Sequence, residues 1–207
     1  MIGLVDHGAG NLASVANALD RLEVAWRPVQ DAGDLEGVAA AILPGVGAAG
    51  AAMASLRAAG LDDGLRRFCA SGRPYLGICV GLQLLFERSA EDGAAGLGIL
   101  AGEVVRIPTA AKLPHVGWNT IELVGGGEWL RPFDGAAFYF THSYVVAPTD
   151  PAVVAAVTDH GTQFVSAVEQ GSIFGVQFHP ERSGPRGLEL LAAFCRLAGP
   201  VAVARAH

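Results

Sequence analysis

Cys79 sits in the run Gly77-Ile-Cys79-Val-Gly81, with a glycine two residues to either side. That spacing is the cysteine form of a nucleophile elbow, a sharp strand-to-helix turn that pushes one side chain into the open and leaves no room for bulk beside it. A free cysteine is more often a small buried apolar residue, but core packing alone gives no reason for the two glycines. Later in the chain, His179-Pro-Glu181 ends the apolar run that reaches Phe178. If strand geometry persists, His179 and Glu181 project from one face, and Pro180, which lacks an N–H, suits a strand that stops there. A cysteine nucleophile needs a base, and the base needs an orienting acceptor; Cys79, His179 and Glu181 supply them in that order. Attack on a carbonyl also needs oxyanion donors. The Val80 N–H, directly after the nucleophile, is one candidate. The Pro44-Gly-Val-Gly47 loop offers a second from Val46 or Gly47, because glycine lets backbone approach a ligand closely. Taken singly, His179 reads as an ordinary hydrogen-bonded residue, Glu181 as a solvated charge and the loop as a turn. Together they point to acyl transfer by a Cys–His–Glu triad, with the leaving group unspecified.

The elements that must position these residues alternate. Residues 2–6 read as a strand, His7 to Gly10 as a turn, and Asn11 as the cap of a helix over 12–22 whose Leu12, Val15, Ala16, Leu19 and Leu22 recur at helical spacing. Strands are predicted over 24–29 and 37–43, helices over 50–58 and 61–70, then the elbow strand over 74–78 and a helix over 82–87. Strands alternating with helices imply βαβ units on a largely parallel sheet, whose sites collect at the C-terminal strand ends. Asp6, the Pro44 loop and Cys79 all lie there. After about residue 97 the pattern changes. Strands are expected over 101–107, 116–123, 136–146, 153–157, 163–168 and 173–178. Turn signals at Asp159-His-Gly161 and Gln170-Gly171 make 153–178 antiparallel hairpins. A helix over 187–197 closes the chain, with 199–207 as a tail. No repeat, linker or domain boundary is visible, so residues 1–207 are expected to form a single α/β domain: a central, mostly parallel sheet flanked by helices, extended by antiparallel strands in the C-terminal half.

Composition narrows the class. The chain has 207 residues, 51% hydrophobic and 16% charged, and no apolar run approaches the ~20 residues of a membrane span. The N-terminus carries no basic leader, so no signal peptide is expected. Three cysteines make no disulfide framework and fit a reducing, cytoplasmic setting. A net charge of −6 without any basic run argues against nucleic acid. No Lys-Ser/Thr follows the glycine loop and no dinucleotide spacing occurs, so no phosphate cradle or cofactor is expected. The six histidines are scattered and Cys-x-x-Cys is absent, so no metal set is legible.

Taken together, the motifs resemble those of the class I, triad-type glutamine amidotransferases. The resemblance runs over nearly the whole chain. Asp6-His-Gly-Ala-Gly-Asn11, Leu43-Pro-Gly-Val-Gly47, Gly77-Ile-Cys-Val-Gly-Leu-Gln83, Pro114-His-Val-Gly-Trp-Asn119, Thr141-His-Ser-Tyr144 and Phe178-His-Pro-Glu-Arg-Ser183 stand in the family's order. The elbow and His-Pro-Glu mark only the superfamily, whereas His-Val-Gly-Trp-Asn and His-Pro-Glu-Arg-Ser are similar to the branch that serves histidine biosynthesis. The resemblance implies a flavodoxin-like fold, and attack by Cys79 on the glutamine side-chain amide. His179 would relay a proton to departing ammonia and Glu181 would orient the imidazole. Gln83 matches a position that contacts the substrate; Thr141, His142 and Ser143 match a segment that holds its α-amino and carboxylate groups. From the residues alone, Gln83 would be an exposed helix residue and 141–143 an ordinary strand.

The resemblance also implies a partner, because nothing in this chain could use ammonia. In that branch the partner is a (β/α)₈ cyclase subunit, joined as a heterodimer and fed through a sheltered path. Asn11, Trp118 and Arg182 match positions near that interface; their plainer readings are a helix cap, a core residue and a solvated charge. Four positions depart from the family pattern: His7 for Tyr, Ala49 for an aromatic, Val145 for a second aromatic, and Arg182 for Lys. Two rivals stand beside this reading. One is a glutaminase serving an anthranilate, guanylate or pyridoxal phosphate synthase. The other is a thiol sensor on a related scaffold, which would make no use of Gln83 or of His179 paired with Glu181.

Overall fold

The computed structural model describes residues 1–8, 11–125 and 129–199. Part of the expected His7 to Gly10 turn, and all of the tail beyond residue 199, lie outside the described residues. The N-terminal half runs β1 (Ile2–Val5), α1 (Leu12–Arg21), β2 (Trp26–Val29), β3 (Ala40–Gly45), α2 (Ala49–Ala58), α3 (Leu61–Ala70), β4 (Tyr75–Cys79) and a four-residue α4 (Val80–Gln83). The remainder is strand-rich: β5 (Arg88–Ser89), β6 (Gly102–Arg106), β7 (His115–Thr120), β8 (Glu122–Leu123), β9 (Ala137–His142), β10 (Tyr144–Pro148), β11 (Val154–Asp159), β12 (Gln163–Gln170) and β13 (Ile173–Val176), before α5 (Gly184–Leu197).

One eight-stranded sheet in the order β2-β1-β3-β4-β13-β12-β11-β8 organises the molecule. From β2 to β13 the strands are parallel; β12, β11 and β8 continue the sheet antiparallel. The expected mixed α/β architecture is therefore present, with both predicted hairpin turns in place. Every residue of β1, β3 and β4 is buried, as parallel strands covered on both faces must be, which is why they read as continuous apolar runs. On α1, Val15, Ala18 and Leu19 are buried, while Leu12, Ala16 and Leu22 pack against the same core from its margin. Two small sheets, β10-β6-β5 and β7-β9, flank the large one. Among the described residues no helix is long and apolar enough to cross a membrane.

Several predicted elements change where tertiary hydrogen bonds overrule local preference. The helix expected over 82–87 stops at Gln83. The carbonyls of Leu84, Leu85 and Phe86 accept instead from the amides of Leu97 (2.7 Å), Ile99 (2.8 Å), Leu100 (2.9 Å) and Gly98 (3.1 Å). The strand expected over 136–146 breaks at Ser143, because β9 pairs with β7 while β10 pairs with β6. The strand expected over 116–123 is divided likewise between β7 and β8. The strand over 173–178 ends at Val176, and α5 starts at Gly184, three residues early.

The glycines of the elbow are dictated by close approach. A Cβ on Gly77 would fall onto the Gly81 carbonyl, and a Cβ on Gly81 onto the carbonyl of Leu43 in β3. Both obstacles are backbone, so neither can swing aside. Gly171, in the β12–β13 turn, differs: its φ is +59° but an added Cβ would meet nothing within 4 Å. Gly171→Ala is expected to cost about 1–2 kcal/mol from conformation alone. Gly81→Ala should cost more than about 3 kcal/mol, a large share of a typical domain's stability. Urea denaturation of the two variants against wild type checks the order; equal costs would contradict the packing account.

Candidate active site

Cys79 is the last residue of β4 and carries φ +55° and ψ −107°, a left-handed backbone rare for a residue with a Cβ. This is the elbow geometry expected from Gly77 and Gly81. On one side, β3 pairs Gly45 with Cys79, so Val46 and Gly47 emerge next to the sulfur. On the other, β13 pairs Val176 with Ile78, so residues 177–179 leave the sheet beside it. Gln177, fully buried, donates from Nε2 to Cys79 Sγ at 3.5 Å.

His179 is held by its backbone: its N–H donates to the Tyr139 carbonyl at 2.8 Å, and its carbonyl accepts from Ser183 Oγ at 2.6 Å. The pairing with Glu181 forms across a 3₁₀ turn at Pro180–Arg182, not along a strand as the sequence suggested. Nδ1 meets Glu181 Oε1 at 2.8 Å, and the two side chains are 1% and 0% exposed. The carboxylate fixes the proton on Nδ1, which leaves Nε2 for Cys79. Burial alone would push the imidazole down. The nearby Cys79 sulfur and the Glu181 hydrogen bond, with the charge of both, outweigh it and raise His179 to about 10, although Nε2 has no hydrogen-bond partner among the described residues.

Glu181 Oε1 also accepts from Asn11 Nδ2 at 2.6 Å. Asn11 does not cap α1 with its side chain; only its carbonyl serves the helix, accepting from Ser14 and Val15. The side chain is committed elsewhere, because its Oδ1 accepts from Arg182 Nη2 at 3.2 Å. Asn11 and Arg182 are thus joined to the Glu181 carboxylate. Trp118 is 59% exposed and so is no core residue. Its ring meets Tyr139 edge-on at 6.5 Å, and the Tyr139 amide donates to Ser183 Oγ at 2.9 Å, next to Arg182.

A cleft of about 170 Å³ is lined by Val46, Gly47, Cys79, Val80, Gln83, Glu91, Thr141, His142, Ser143 and Tyr144. The expected oxyanion and substrate residues therefore share one cavity with Cys79. Gln83 is buried, not an exposed helix residue. Its Nε2 donates to the Tyr144 carbonyl and to Gln177 Oε1, both at 3.1 Å, so the group it can offer a ligand is its own carbonyl oxygen. Sequence reasoning gave no role to Gln177, Glu91, Tyr144 or His115. A lone glutamine inside an apolar strand was the available signal for Gln177; Glu91 looked like any loop carboxylate. His7, at a departure from the family pattern, is buried and donates from Nε2 to the Pro44 carbonyl at 3.1 Å, just ahead of the Val46–Gly47 segment.

The arrangement suits acyl transfer with Cys79 as the attacking group. The sequence profile of the family described as "Glutamine amidotransferase class-I" matches residues 4–197. The chain belongs to the class-I glutamine amidotransferases. This amidotransferase is 46% identical to the imidazole glycerol phosphate synthase subunit HisH of Moorella thermoacetica, over 95% of this chain and 94% of that protein. It is 44% identical to the HisH subunit of Rhodopirellula baltica, over 99% and 100% respectively. A crystal structure titled glutamine amidotransferase superposes with a TM-score of 0.77 at 24% identity, covering 96% of this chain and 98% of that one. PurLQS from Thermotoga maritima gives 0.71 at 17%, over 93% and 96%. These two likenesses speak to the amidotransferase fold.

The raised His179 value carries a pH signature. Because it lies above the ordinary 6.5, the charged imidazole stabilises the fold fully below about pH 6.5, and that contribution is lost as pH rises through about 10. Cys79→Ala and Glu181→Gln each remove a group that favours the charged ring, so each should lower the His179 pKa. Titration of the imidazole by NMR checks this; an unmoved midpoint in both variants would show that neither group holds the proton.

Proposed function

We propose that the chain is the glutaminase subunit of an imidazole glycerol phosphate synthase, hydrolysing L-glutamine to L-glutamate and ammonia for a cyclase partner in histidine biosynthesis. The observation that carries the chemistry is the buried His179–Glu181 pair set against Cys79 at a strained elbow, beside a cleft of amino-acid size. The two HisH relatives, similar over nearly the full length of both chains, supply the pathway.

In this reading Cys79 Sγ forms a bond to the glutamine amide carbon. Backbone N–H groups of Val46 or Gly47, and of Val80, receive the oxyanion. His179, charged at neutral pH, gives its Nε2 proton to the amide nitrogen as the C–N bond breaks, so the leaving group is ammonia and not an amide anion. Water, deprotonated by the now neutral imidazole, opens the thioester, releases glutamate and expels the sulfur as thiolate beside the recharged ring, the state from which the cycle began. Glu181 keeps the ring oriented through Nδ1. The Gln83 carbonyl oxygen and the Glu91 carboxylate suit an α-amino group, while backbone and hydroxyl donors of Thr141–Ser143 suit an α-carboxylate.

The partner face is proposed around Asn11, Trp118 and Arg182. A partner that moves Arg182 would be felt at Glu181 through the Asn11 amide, which gives the interface a physical route to the triad. The setting is proposed as cytoplasmic, where the other enzymes of such a pathway would supply the substrate.

Cys79→Ala should lower glutamine hydrolysis by roughly 10⁴-fold or more, as expected when a nucleophile is removed, while leaving the partner bound. Glutamate release by the complex, and imidazole glycerol phosphate formation from glutamine and the cyclase substrate, are the readouts. Undiminished hydrolysis in the variant would overturn the mechanism. Normal hydrolysis with no imidazole glycerol phosphate would overturn the choice of partner.

A further inference from the structure

Beside the cleft lies a run of polar side chains, its two histidines buried, that the triad does not use. Asn119 Nδ2 approaches His115 Nε2 at 3.3 Å, His115 Nδ1 meets His142 Nε2 at 3.1 Å, and His142 Nδ1 meets the Tyr144 carbonyl at 3.0 Å. The two ends dictate every proton in between. An amide nitrogen can only donate, so His115 Nε2 accepts and its proton is on Nδ1. A carbonyl can only accept, so His142 carries its proton on Nδ1 and receives at Nε2. Both assignments give the same direction, Asn119 to His115 to His142 to Tyr144, and only with both rings neutral. The surroundings agree. Burial, then the neighbouring His160, lowers His115 to about 4. Burial also lowers His142 to about 3, with His115, His160 and His179 adding to the effect against the Tyr144 bond. Asn119 is itself anchored: the same Nδ2 donates to the Asp159 carbonyl at 2.7 Å, and Oδ1 accepts from the Thr120 amide at 2.8 Å.

The receiving carbonyl matters because Gln83 Nε2 also donates to it. Tyr144 follows the break between β9 and β10, so its carbonyl is the fixed point between two walls of the cleft: residues 141–143 on one side and Gln83 on the other. Through Gln177 the same network continues to the sulfur. We infer that His115 and His142 are positioning residues for the amino-acid end of the substrate, a one-way hydrogen-bond relay that pins the Tyr144 carbonyl and so sets the Gln83 and Thr141–Ser143 contacts. Neither ring exchanges a proton with the substrate in this role.

The inference rests on the glutaminase reading, and one experiment separates the two. Cys79 is alkylated with iodoacetamide in the whole chain, and the glutamine concentration giving half-protection is measured by mass spectrometry. Cys69 and Cys195 are buried and pushed up to about 12, so they stay unmodified and report intactness. His115→Phe preserves stacking on Phe140 (5.0 Å) and His160 (4.1 Å) but removes the relay. His115→Asn gives up the stacking but keeps an N–H where Nδ1 was. The relay predicts that His115→Phe raises the half-protecting concentration by about 10-fold or more, as when one buried hydrogen bond is lost and its partner left unsatisfied. His115→Asn should stay within about 3-fold of wild type. A mere packing role predicts the opposite order, and that order, or an unaffected His115→Phe, overturns the inference. Should His115→Phe lose its cooperative melt, His142→Asn, which keeps a donor toward Tyr144, is compared with His142→Gln, which does not. Weaker protection in the glutamine variant supports the relay; equal protection overturns it. If glutamine fails to protect even wild-type Cys79, the glutaminase reading falls and this inference with it.

Discussion

The left-handed backbone of Cys79 is the constraint on which the rest of the site depends. An L residue pays on the order of 1–3 kcal/mol for so sparsely populated a conformation, so it persists only where the surroundings permit nothing else. Here Gly77 and Gly81 let the strand and the first turn of helix touch backbone to backbone, and Gly81 rests on the carbonyl of Leu43. Strand therefore becomes helix within one residue, and the sulfur leaves the sheet at its C-terminal edge. Because β4 lies between β3 and β13, each neighbour ends beside that sulfur. One delivers the Val46–Gly47 backbone and the other delivers Gln177 and His179. A central strand with two parallel neighbours is enough to bring three distant sequence segments to one atom.

Much of this was legible in the sequence because it depends on short-range rules. Glycines two residues either side of a cysteine, a proline after a histidine, and apolar runs between turn residues each have a local cause. The α/β order and the antiparallel C-terminal hairpins followed from those signals. What escaped was set by partners far along the chain. Asn11 has the right type and position for a cap, yet its side chain bonds Glu181 and Arg182, 170 and 171 residues away. Residues 84–86 favour helix, but amides from 97–100 take their carbonyls. Ser143 carries no breaker signal; the chain bends there because the strands on either side belong to different sheets. His115 and Gln177 resemble any polar residue near a strand until their partners are in place.

The site is polar at depth, and much of its order comes from pairing among buried groups. Unpartnered polar groups in a low dielectric are costly, so donors and acceptors that line up in one consistent direction suppress alternative rotamers. From Asn119 to the sulfur of Cys79 the side chains leave little choice of arrangement. At His179 and Glu181 the pairing stops short: Glu181 Oε1 meets Asn11 Nδ2 and His179 Nδ1, while the buried Oε2, like His179 Nε2, has no hydrogen-bond partner among the described residues. The most tightly held atom of the Glu181 carboxylate thus sits next to its least satisfied one.

Both margins of the large sheet are blunted. At one end β2 is four residues long and contains Pro28, which offers no N–H to a further strand; at the other, β8 is only two residues. Such borders discourage β-augmentation and the edge-to-edge association that leads to aggregation. A chain built on so apolar a sheet has to guard against its own copies. Assembly is thereby directed away from the backbone ladder and onto side-chain surfaces, where recognition can discriminate one partner from another.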